Sequence, residues 1–141
     1  MKARIQWLQD RAFTGVTGSG HEVVMGSTTG PEGRTIGPSP MEMVLMGVGG
    51  CTAFDVVHIL EKARQAIEGC VVELESERAP TDPKVFTRVH MRFFVTGRGL
   101  DPIKVERAVK LSAKTYCSAS AMIEKTAEIT HEIEVIDSTT R

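Results

Sequence analysis

The chain has 141 residues, 41% of them hydrophobic and 25% charged, which is enough for one domain with a single core and leaves no compositional sign of disorder. Its 17 basic and 18 acidic residues nearly cancel to a net charge of -1, which excludes the positive field of a nucleic-acid-binding or anionic-membrane-binding protein. No uninterrupted run of 18 apolar residues occurs, and the opening MKARIQWLQD is charged where a secretory segment is apolar, so neither a membrane partner nor export is expected.

Taken in order, the first third reads as strands. Lys2 to Leu8, Arg11 to Thr17 and His21 to Met25 form a meander, with Thr17-Gly18-Ser19-Gly20 as one turn. A Gly-, Pro- and Thr-rich loop of about fifteen residues follows, near the upper limit for ordinary loops. Ser39, Pro40 and Glu42 then make a helix start: a capping hydroxyl, a proline at the first helical position and an acid at the third. From Met41 to Ala66 there is no proline, and the first half of the helix is apolar nearly all round, which predicts burial. One chain of this length is hard pressed to cover such a helix, so two copies packing helix to helix are expected, with Gly47, Gly49 and Gly50 permitting close approach.

Strands are predicted at Cys70 to Glu77 and Val85 to Thr96, then a helix from Ile103 to Tyr116, a shorter one from Ala119 to Lys125 and a last strand from Glu128 to Ile136. Strands and helices are segregated, so the fold class is α+β with mostly antiparallel sheet, as one domain over residues 1–141.

Three cysteines, Cys51, Cys70 and Cys117, carry the chemical interest. An odd number without a leader points to the cytoplasm, where disulfides are transient and catalytic or redox-sensing. No CxxC, HExxH or tight Cys/His cluster occurs, so neither a metal nor another cofactor is expected. Cys70 opens an alternating strand next to Gly69 and reads as structural. Cys51 lies in the apolar helix, with Asp55 and His58 at i+4 and i+7 on the same face. A carboxylate and an imidazole in such a setting are either used with the thiol or bonded to each other or to a neighbouring strand. Cys117 falls at a helix junction; at the start of the second helix it would gain an environment that favours the thiolate.

The segments Gly37-Pro38-Ser39-Pro40-Met41-Glu42-Met43-Val44-Leu45, Gly49-Gly50-Cys51-Thr52-Ala53-Phe54-Asp55-Val56-Val57 and Tyr116-Cys117-Ser118 resemble the OsmC/Ohr family, above all its YhfA-like branch, in the right order and over nearly the whole chain. The resemblance implies an intertwined homodimer of α+β chains around paired central helices, with two sites at the interface. It implies that Cys51 attacks an organic hydroperoxide and becomes a sulfenic acid, that Cys117 resolves it as a disulfide, and that a dithiol reductant restores both. Family peroxidases hold the attacking thiolate with an arginine and with a glutamate that directly follows the helix-start proline. Here Met41 takes that place and the acid is Glu42, which a straight helix sets about 180° from Cys51; the candidates for the arginine are Arg34 and Arg11.

Two other functions fit the same residues. One is a non-enzymatic dimer that senses redox state or binds a small apolar ligand. The other is acyl transfer from Cys51 with His58 as base, which is disfavoured because two helical turns separate them by about 10 Å along the axis.

Overall fold

In the computed structural model, residues 1–140 are described, and they divide into two compact units, Met1–Met46 and the remainder from Gly47. The first is an antiparallel meander of β1 (Ala3–Gln9), β2 (Ala12–Thr17) and β3 (Glu22–Gly26), in that spatial order. Arg4 lies opposite Val16 and Phe13 opposite Met25. Gly26 adopts φ +138° because its backbone runs against Arg11: a Cβ there would sit 1.8 Å from the Arg11 carbonyl oxygen.

Helix α1 (Pro40–Lys62) begins in the first unit and continues through the second. The anticipated capping box forms. Ser39 N donates to Glu42 Oε1 at 2.9 Å, and Glu42 N donates to Ser39 Oγ at 3.1 Å. By length and composition α1 is long and apolar enough to cross a bilayer, which a criterion of one unbroken apolar run passes over. Only part of it is covered, however. Val48, Gly49, Thr52, Val56 and Leu60 are buried, at intervals of one to four residues, whereas Val44, Met46 and Phe54 are exposed. Burial all round, expected from the composition, is therefore not achieved within a single chain.

The second unit is built on a three-stranded sheet in the order β4 (Ala66–Arg78), β5 (Phe86–Arg98), β6 (Glu128–Asp137). Central β5 buries every second residue, Val89, Met91, Phe93 and Val95, as the two-residue strand period requires. β4 runs antiparallel to β5, but β6 runs parallel to it, with Val89 opposite Ile129 and Phe93 opposite Ile133. The parallel pair arises because the connection is helical: α2 (Pro102–Leu111), a π-helical turn (Ser112–Tyr116) and α3 (Ser118–Ile123) carry the chain back to the end where β5 began. Asp101 caps α2 by accepting from Ile103 N at 2.9 Å. Val56, Leu60, Val105, Ala108 and Val109 complete the core over the sheet.

Candidate functional site

The site grows from one face of α1. Thr52 and Asp55 project from it toward Ser112, the first residue of the π-helical turn. Ser112 Oγ donates to Asp55 Oδ2 at 2.9 Å and stands 3.0 Å from Thr52 Oγ1. Since Ser112 has one hydroxyl proton and gives it to the carboxylate, Thr52 donates to Ser112. The result is a directed chain, Thr52 to Ser112 to Asp55, whose first two members are 1% and 0% exposed. The backbone of Ser112 is engaged as well. Cys117 N donates to Ser112 O at 2.8 Å, closing the π turn.

That turn delivers Cys117 to Cys51. The two sulfurs and a carboxylate oxygen of Asp55 all lie within 4.8 Å of one another. All three cysteines are free thiols; Cys117 is buried, while Cys51 is partly exposed, which an attacking sulfur requires. Cys117 is the N-cap of α3, with its sulfur accepting from Ser120 N at 3.3 Å. The cap position anticipated for it is thus real, but the thiolate is not the favoured form. Burial pushes the Cys117 thiol above the ordinary range, the Ser120 hydroxyl and amide beside the sulfur offset part of this, and neighbouring Cys51 pushes it up further. The Ser120 hydroxyl is itself 2% exposed and has no well-formed hydrogen bond of its own. Cys70 sits half-buried in β4 opposite Val95, its thiol pushed up by that burial.

Asp55 and His58 have separate partners. Asp55 is held by Ser112, and His58 stacks on Phe54 with centroids 6.3 Å apart and ring planes 19° from parallel. Together with Ile59, Lys62, Leu111 and Tyr116 they line a mostly apolar cavity of about 360 Å³, one helical turn from Cys51. The remaining anticipated site residues belong to the first unit. Glu42 is engaged in the capping box, the Arg11 guanidinium donates to Asp10 O at 3.1 Å, and the Arg34 carbonyl accepts from Gly30 N at 2.6 Å. Ser112 and Ser120 are not singled out by the sequence. The signal for Ser112 is a hydroxyl interrupting the apolar stripe of a helix; Ser120 carries none.

Comparison with known proteins places the chain in a family. The chain belongs to the OsmC-like protein family, which it matches over residues 30–132. It is 48% identical over 136 residues to the protein YhfA of Escherichia coli K12, covering 96% of this chain and 98% of that one. A solved structural-genomics chain is 46% identical with a TM-score of 0.87, covering 98% of this chain and all of the other. An organic hydroperoxide resistance protein OsmC of Legionella pneumophila, described as a predicted redox protein, shares the fold. Its TM-score is 0.67 at 17% identity, with 95% and 96% of the two chains covered.

Proposed function

We propose that the protein reduces organic hydroperoxides with its cysteine pair. The Cys51 thiolate attacks the outer oxygen of the peroxide; the O–O bond breaks, an alcohol leaves, and Cys51 becomes a sulfenic acid. The Cys117 thiolate then attacks that sulfur, water departs, and a disulfide forms. A dithiol reductant takes the disulfide back to two thiols and is itself oxidised. The observation that carries this reading is the approach of the two sulfurs to within 4.8 Å with one of them accessible. The shared fold of the Legionella organic hydroperoxide resistance protein supports it.

On this reading Arg34 or Arg11 supplies a cation for the Cys51 thiolate, and Glu42 orients that arginine. The working unit is a homodimer, because Val44, Met46 and Phe54 on α1, like Ile5, Trp7 and Leu8 on β1, are exposed in the single chain. The two compact units, which share α1, are read as one domain, and the free thiols suit a reducing cytoplasmic compartment. The second reading, a redox sensor or a binder of a small apolar ligand, draws on Glu42, whose carboxylate is already committed to the helix cap. Incubation with cumene hydroperoxide and dithiothreitol separates the two: consumption well above a protein-free control supports the peroxidase, and none supports sensing or binding.

A further inference from the structure

We infer that the reduced protein holds a zinc ion between Cys51, Cys117 and Asp55, with the fourth position open to solvent. Two sulfurs and a carboxylate oxygen, each on a different turn or element, already lie within 4.8 Å of one another. Tetrahedral zinc with Zn–S bonds of about 2.3 Å sets its sulfur ligands about 3.8 Å apart. The pair therefore needs a movement of about 1 Å or less, smaller than the closure to about 2.05 Å that a disulfide demands.

The surroundings are those of a ligand set. Ser112 Oγ donates to Asp55 Oδ2 at 2.9 Å, which orients the carboxylate, as the outer hydrogen bonds of metal sites do. The Ser120 amide already donates to the Cys117 sulfur, and the buried Ser120 hydroxyl, without a well-formed hydrogen bond, is a second donor that a metal-bound thiolate could accept. Two soft thiolates with one oxygen select zinc over magnesium or calcium, which take oxygen ligands alone. Three chain ligands with one open position is also the ligand count of solvent-accessible zinc sites rather than of closed structural ones. Binding is no redox step: two thiols lose their protons to solvent as Zn²⁺ takes both thiolates. Spacing rules miss the site because Cys117 follows the π turn, remote in sequence from Cys51 and Asp55.

The site stands whether or not the thiols turn over hydroperoxide, and its test reads metal alone. Reduced, chelator-treated full-length protein is titrated with Co²⁺, whose visible and near-ultraviolet spectrum reports tetrahedral thiolate coordination, and the Co²⁺ is then displaced by Zn²⁺. One Co²⁺ per chain with that spectrum is expected. Loss of the spectrum is expected in Cys51→Ser, in Cys117→Ser and in wild type alkylated at its thiols, with no change in Cys70→Ser. Asp55→Asn is expected to weaken Zn²⁺ at least about tenfold and Ser112→Ala about tenfold. Circular dichroism of each variant confirms its fold, and the alkylated wild type keeps the original sequence. Absence of a tetrahedral spectrum in the reduced wild type overturns the inference. So does an unchanged spectrum in Cys117→Ser, or unchanged affinity in Asp55→Asn.

Discussion

Ser112 donates a 2.9 Å hydrogen bond to Asp55 and thereby ties the turn that leads to Cys117 to the helix that carries Cys51. The same hydroxyl serves buried Thr52, so removing it strands one polar group and loosens another. Ser112→Ala should destabilise the protein by about 1–3 kcal/mol, the usual cost of an unsatisfied buried hydroxyl. Urea unfolding measures this. A change no larger than that of an ordinary surface substitution, about 0.5 kcal/mol, would show that the network does not hold the site.

Burial pushes the Cys117 thiol above the ordinary range of about 8.5, and it still does so once Cys51 has become a sulfenic acid. Only its thiolate attacks a sulfenic acid, so a raised pKa means less of the active form at neutral pH. Disulfide formation after a single addition of hydroperoxide should therefore accelerate with pH, by about tenfold per unit, and keep rising beyond pH 8.5. Stopped-flow measurement of the resolving step gives the profile; a plateau reached below pH 8 contradicts the assignment.

Gly49 lets α1 approach β4 closely: an added Cβ would meet Leu74 Cδ1 at 2.7 Å. Gly49→Ala should change stability by no more than about 1 kcal/mol, because the Leu74 side chain has to shift while the helix gains from alanine. Gly47 and Gly50 have open space around them in the chain. Alanine at either should favour the isolated helix by about 1 kcal/mol. If these faces meet a second copy, the same changes weaken the dimer instead, and thermal melts across a range of protein concentrations tell the cases apart.

Phe54 is 73% exposed on a helix that is otherwise among the most apolar parts of the chain. Phe54→Glu places a charge on that face and should convert a dimer into monomers, as sedimentation velocity would record. A wild type that sediments as a monomer at micromolar concentration contradicts the dimer outright.

Local chemistry makes the helix ends and strands readable. Ser39, Pro40 and Glu42 announce α1 because a cap satisfies donors within a few residues of itself. The alternation in β5 announces a buried strand face for the same local reason. What stays hidden depends on distant partners. The helical period runs on smoothly past Leu111 and so predicts a helix to Tyr116; the switch to a π turn at Ser112 shows only in the bond from Cys117 N. The parallel pairing of β6 follows from where the helical connection returns, which no strand residue encodes. In the site, the cysteine pair is legible through motif context. The partner of Asp55 is not, since Ser112 reaches it from another element.

The proposed roles are asymmetric, with Cys51 as attacker and Cys117 as resolver. Their most direct measurement follows cumene hydroperoxide consumption with dithiothreitol, alongside mass spectrometry of the protein after dimedone trapping. Cys51→Ser should show no consumption above background. Cys117→Ser should carry a dimedone adduct on Cys51 where the wild type instead shows a Cys51–Cys117 disulfide. Turnover by Cys51→Ser at the wild-type rate would contradict both assignments.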